Sequence, residues 1–335
     1  MNTRHLVIAV AVALLMGALS LAFGRFGAYM VNAVAIAGIG ALSLNLLIGY
    51  CGQISFAQGA LLGVGAYTAG NISNAGGDGL AAILGAGVVG AIIGALIGIP
   101  ALRLRGLYFA IATLAAQAIL EYLFKVLDPI TNGVSGLVIR PTTIFGVPMT
   151  SDESLVVPSL VILVIVWVAV SRFMRIDLGR SFLVVRESEI VAKGMGIDVA
   201  HAKILAFLAS GFIAGLAGAL AGFANRLASP EAFTLDLSAD YIAMIIIGGL
   251  GTWTGPLIGA AFVVLLPEAI QRVGEAAGLS DILSPLRELA FGLLIILFLI
   301  FEPRGLTALL SRLKPRSLAA PVPGGVPATG ESQPP

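Results

Sequence analysis

The chain has 335 residues, of which 58% are hydrophobic and 11% charged, with 42 glycines and a formal net charge of +1. Soluble domains carry about 25% charged residues, so this composition excludes one and fits a polytopic membrane protein. The single cysteine, Cys51, excludes an intramolecular disulfide, and two histidines, His5 and His201, are too few for a histidine metal cluster.

Apolar runs predict helices over 6–24, 28–49, 55–72, 79–101, 106–126, 155–174, 203–224, 238–249, 254–273 and 286–302. A crossing needs roughly 20 mostly apolar residues. The first run shares a basic start and a small-residue end with signal peptides. Its 18 apolar residues from Leu6 to Phe23 exceed the usual signal core of about 7–15, which favours a retained first helix. The eighth run, 238–249, rises about 18 Å against a core of about 30 Å. It is a short crossing or one arm of a re-entrant hairpin with the ninth. The predicted fold class is an all-α polytopic membrane protein with about 8–10 transmembrane helices.

Lys and Arg concentrate in the loops holding Arg103 and Arg105, in 172–203, and after the last helix at Arg304, Arg312, Lys314 and Arg316. The positive-inside rule makes these cytoplasmic, along with both termini. The loops 72–79, 127–154, 225–237 and 274–285 then face outward, with Arg25 a minor exception. The outer stretch 127–154 is rich in Gly, Pro and Thr, and reads as short strands, a docking surface or an ordered cap. Residues 1–314 form the predicted transmembrane domain, and the Pro/Gly-rich tail 315–335 is predicted to be disordered.

"IGYCGQISFAQGA" (48–60) has a counterpart in "IGGLGTWTGPLIGA" (247–260). Each begins Ile-Gly and has a second glycine three residues on: Gly49 and Gly52, then Gly248 and Gly251. The pairing suggests a parallel internal repeat, and Gly-interrupted segments in corresponding halves point to a translocation path. Candidate path residues are Asn45, Gly49, Gln53, Ser55, Gln58, Gly59, Gly248 and Gly251. Uncharged polar backbone at membrane depth is tolerated where it is buried in protein or lines a cavity. The same residues also read as a packing turn, and Gly59 and Gly63 have the spacing of a tight helix contact.

The segment 175–203 mixes charges with Phe182, Leu183, Val185, Ile190 and Met195. It predicts an amphipathic helix from Ser181, as N-cap, to about Lys193, stopped at Gly194-x-Gly196. Arg186 with Glu189, and Glu189 with Lys193, would then share a face. Such a helix lies on the membrane surface or enters a partner's groove.

Among acidic residues near the membrane, Glu121 has Lys125 four residues on, Glu268 has Arg272, and Glu288 adjoins Arg287; with Asp240 they read as interfacial groups. An ion-coupled secondary transporter would carry charges along its path, so that class is the weaker alternative. Nothing assembles a catalytic set, and the reading is of a protein that is not an enzyme. There is no phosphate-binding loop, so an ATP-driven mechanism needs a separate motor.

"LSLNLLIGYCGQISFAQGALLGVGAY", "RLRGLYFAIATLA", "GRSFLVVRESEIVAKGMGIDVAHAKILAFLASGFIAGLAGAL" and "IIIGGLGTWTGPLIGAAF" together resemble the Liv-type permeases of branched-chain amino acid ABC importers. The second stretch and the long outer loop are more similar to the LivM branch than to the LivH branch. The likeness covers about residues 30–305 in order. It implies a bacterial inner-membrane permease working with a second Liv-type permease, two cytoplasmic ATPase subunits that bind the ATP, and a periplasmic substrate-binding protein. It implies that 181–196 is the coupling helix, with Arg180, Ser181, Arg186, Glu187, Glu189, Ala192 and Gly196 at the ATPase contact. Two positions depart from the family: Gln58 stands near a frequent histidine, and Asn132 replaces the first glycine of a "TGG" pattern. Related permeases carry urea, short amides or other amino acids.

Overall fold

The structure is a computed structural model that describes residues 3–104, 106–144, 146–276, 292–293 and 305–307. In chain order the helices are α1 (Thr3–Ala22), α2 (Gly24–Asn45), α3 (Gln58–Asn74), α4 (Gly79–Gly98), α5 (Leu107–Val126), the single turn α6 (Asp128–Thr131), α7 (Asp152–Phe173), α8 (Asp177–Glu187), α9 (Glu189–Gly194), α10 (Val199–Asn225), α11 (Leu235–Gly248) and α12 (Gly255–Ala276). Nine of them follow the first nine apolar runs. The tenth run, 286–302, the pair Arg287–Glu288 and the tail 315–335 lie outside the described residues. Among the described residues, five helices are long and apolar enough to cross a membrane: α2 continued to Tyr50, α4 continued to Leu102, α5, α7 and α10.

α2, α3 and α10 form the interior. α10 lies against α4, α3 and α2, and α2 is flanked by α7, α12 and α1. Lipid is as apolar as leucine, so helices in it associate through close backbone approach rather than through the hydrophobic effect. Here glycines four apart provide that approach. Gly90 and Gly94 on α4 face Gly211 and Gly215 on α10, and a Cβ on Gly94 would stand 2.6 Å from the carbonyl oxygen of Phe207 and 3.0 Å from the Cα of Gly211. Gly59 and Gly63 make the tight contacts their spacing predicts, Gly59 against the start of α11 and Gly63 against the Phe124 ring of α5.

α11 has 14 residues and rises about 21 Å. It is too short for the hydrocarbon core, and it turns back against α12 across a six-residue link, 249–254.

The segment 127–154 contains short strands, as its turn-rich composition allowed. β1 (Leu137–Val138) pairs antiparallel with β4 (Leu227–Ala228), and β2 (Thr143–Ile144) pairs with β3 (Val147–Pro148). Asn74 ties it to α3, donating to the Val138 carbonyl at 2.8 Å and accepting from Arg140 N–H at 2.9 Å. Asn132 adopts φ 58°, a left-handed conformation natural to glycine and tolerated by asparagine. Asparagine is therefore compatible with this turn.

The predicted single helix from Ser181 to Lys193 is two helices. α8 begins four residues earlier, at Asp177, so Ser181 sits inside it and donates to the Leu178 carbonyl at 2.6 Å instead of capping. The chain then breaks at Ser188, whose side chain caps α9 by accepting from Val191 N–H. Arg186 and Glu189 consequently belong to different helices, and the three-residue spacing no longer places them on one face. The stop holds: Gly196 takes φ 79° just past α9. The predicted pairs Glu121–Lys125 and Glu268–Arg272 form at 3.0 and 3.4 Å, and Arg272 also stacks over the Phe26 ring.

Candidate functional site

The two glycine-rich breaks, far apart in sequence, touch. The last turn of α2 widens to a π-helix over Leu46–Tyr50, and Gly52 then turns the chain with φ 71°. Asn45, wholly buried, sits just before this turn. Its Nδ2 donates to the Thr252 carbonyl and its Oδ1 accepts from Gly251 N–H, both at 2.9 Å. A Cβ on Gly49 would stand 2.7 Å from the Gly251 nitrogen. Asn45, Gly49 and Gly251 thus make one junction. Gly248 lies one turn away, where it and Gly259 admit the α12 backbone against α11.

The first break leaves the N-terminus of α3 inside the protein, and the first N–H groups of a helix have no partner within it. Ala57 stands at the cap and has no polar side chain. Neighbouring helices supply the acceptors instead. Thr113 of α5 accepts from Phe56 N–H at 3.1 Å, Ser238 of α11 from Gly59 N–H at 2.8 Å, and Gln117 of α5 from Ala60 N–H at 2.7 Å. Ser55 accepts from Ala57 N–H at 3.4 Å, and Gln53 donates to the Cys51 carbonyl at 3.4 Å. Gln58 is buried; its Nε2 donates to the Gly40 carbonyl at 2.9 Å while its Oε1 accepts nothing. Thr113, Gln117 and Ser238 did not enter the sequence reading. Their signal was present: Thr113 and Gln117 are four apart on an otherwise apolar helix, so they share a face.

α8 and α9 are anchored to this junction at two points. The Arg186 guanidinium donates to the Gly49 carbonyl, its stem packs on Gly52, and a Cβ on Gly251 would meet it at 2.8 Å. On α9, Glu189 pairs at 2.6 Å with Lys203, which is buried at the start of α10 and also donates to the Ala101 carbonyl at 2.9 Å. Ala192 is buried beneath α9; Arg180 and Glu187 are exposed on α8. A cleft of about 290 Å³ separates the first break from the α8–α9 corner, lined by Cys51, Gln53, Arg186 and Glu187.

The opposite end of the bundle holds a second cavity, of about 880 Å³, between α2, α10, α11 and α12. Asn32, Asn225, Asp236, Asp240 and Tyr241 line it. Asp240, expected among interfacial groups, faces this cavity.

A stack of apolar helices packed through glycines, broken at two meeting points and bearing a paired helix at one end, is a polytopic membrane permease in architecture. The family described as branched-chain amino acid transport system, permease component, matches residues 26–300, and the chain belongs to it. It is 30% identical over 290 residues to the high-affinity branched-chain amino acid transport system permease protein LivM of Salmonella typhimurium, covering 79% of this chain and 66% of that protein. The probable branched-chain amino acid transport permease protein LivM of Methanocaldococcus jannaschii is 26% identical over 293 residues, 85% of this chain and 84% of that one. The D-allose transport system permease protein AlsC of Escherichia coli is 30% identical over 203 residues, 60% of each chain. The chain thus spans 66% of the length of the Salmonella relative. No solved structure matches it.

Proposed function

We propose that the chain is the permease subunit of an ATP-binding-cassette importer in a bacterial inner membrane, and that it moves branched-chain or related amino acids by alternating access. Its partners in this reading are a second Liv-type permease, two cytoplasmic ATPase subunits and a periplasmic substrate-binding protein. α8, α9 and both termini face the cytoplasm, following the Lys and Arg distribution, and 127–154 faces the periplasm.

The observation that carries the proposal is the α8–α9 surface. Ile190, Val191 and Met195 are 76, 55 and 70% exposed there, with Leu183, Glu187 and Lys193 exposed beside them. An apolar ridge rimmed by charges on a short helix suits a groove in a partner protein, and the ATPase is that partner. Arg186, on the same corner, touches both breaks. A push on α8 is therefore delivered to the two points where the membrane helices are interrupted. Asn45, Gly49, Gly248 and Gly251 serve as the hinge of the path, and Gln53 borders it from the α8–α9 side.

Co-purification from native membranes in mild detergent tests this. An ATPase should accompany the wild type and be lost from Ile190→Asp/Met195→Asp, with both permeases eluting as the same folded species. A folded wild type that brings down no ATPase would leave the importer without a motor and return an ion-coupled transporter to the front.

A further inference from the structure

The 880 Å³ cavity at the end away from α8 and α9 contains polar groups that no helix contact uses. Asn32 is 2% exposed. Its Nδ2 donates to the Asp152 carbonyl at 2.7 Å. A carbonyl can only accept, so this bond settles the orientation of the carboxamide and leaves Oδ1 as an oxygen with no hydrogen bond. Tyr241, 4% exposed, stands in the same wall. A buried polar group left unpaired costs about 1–3 kcal/mol, so the Asn32 oxygen in the cavity wall needs an explanation.

The charges around it supply one. Asp236 and Asp240 are one turn apart on α11 and both line the cavity, as does Asp152 at the start of α7. Among the described lining residues none is basic. Asp236 is exposed and Asp240 half-buried, so together they set a negative potential over the cavity that attracts a cation. The rest of the wall is aliphatic, with Ile36, Leu237, Val263 and Val264 in it.

We propose that this cavity receives the primary ammonium group of the transported solute, with Asp236 and Asp240 as its counter-charges and the aliphatic wall taking a short branched side chain. This deepens the permease reading above and rests on it. A neutral sugar, the class named for the D-allose relative, could accept and donate hydrogen bonds here but would bring no cationic group to the carboxylates.

The test uses the purified full-length chain in lipid nanodiscs and its thermal unfolding midpoint. The probes, at equal ionic strength, are L-leucine, 3-methylbutylamine, 4-methylpentanoate, D-allose and potassium chloride. Leucine and the amine should raise the midpoint by about 2 °C or more at saturation, whereas the acid, which has the same side chain without the nitrogen, and the sugar should not. The amine's effect should vanish in Asp236→Asn/Asp240→Asn. Equal shifts from amine and acid, a shift with potassium chloride matching the amine's, or an unaltered response in the double variant would each overturn the assignment. The amine–acid comparison on the wild type stands even if the double variant fails to fold. An assembled complex that imports leucine while its permease shows no preference for the amine sinks this inference and leaves the permease reading intact. Loss of the ATPase from a folded wild type does the reverse.

Discussion

The two breaks look alike as sequence and are held in different ways. The first is satisfied by side chains: Thr113, Gln117 and Ser238, from two other helices, accept the free N–H groups around the start of α3. The second has side-chain bonds from Asn45 and Thr252 as well, but it adds backbone on backbone, with Gly248 and Gly259 lying where any side chain would strike α12 or α11. Hydrogen bonds of about 1 kcal/mol each can be exchanged one at a time; a steric fit without spare volume has no such gradation. In the proposed importer both breaks flex, and this difference makes the first the softer of the two.

Substitutions can break or sharpen this contrast. The largest effect is expected from Gly259→Leu, whose side chain meets the Met244 carbonyl; it should cost about 3 kcal/mol or more, read as loss of monodisperse protein in detergent. If that variant folds normally, the second break is not sterically held. Asn45→Ala removes both bonds that join the breaks and should cost about 2 kcal/mol in denaturant titration. Gln117→Leu takes away the acceptor for Ala60 N–H and the donor to the Phe233 carbonyl, at about 1–2 kcal/mol. Because Ser238 lies 3.3 Å from Gln117, combining it with Ser238→Ala should be non-additive by about 0.5 kcal/mol or more. The smallest change belongs to Gln58→Met, below about 1 kcal/mol, since half of that carboxamide is already unpartnered.

Much of this was readable in the chain. Long apolar runs with no competing period gave helix bounds within a few residues, and the paired Ile-Gly signatures marked both breaks. Their contact was not readable, because it depends on α2 and α11 ending at the same point in space. The corner between α8 and α9 went astray for a local reason. Two serines seven residues apart can each cap a helix, and Asp177 started α8 early enough to carry Ser181 into its interior and leave Ser188 the cap. The cavity carboxylates carried a quiet signal, since neither Asp236 nor Asp240 has a Lys or Arg three or four residues away. Glu121 and Glu268 do, and their pairs form.

In the proposed importer, Arg186 transmits the movement of α8 to both breaks. In the complex reconstituted in proteoliposomes, Arg186→Ala leaves Ile190, Val191 and Met195 in place to dock the ATPase. Losing one charge-assisted hydrogen bond at the junction corresponds to about tenfold or more. The predicted result is an assembled complex that still hydrolyses ATP while solute uptake per ATP falls about tenfold. Uptake and hydrolysis that keep the wild-type ratio would contradict it.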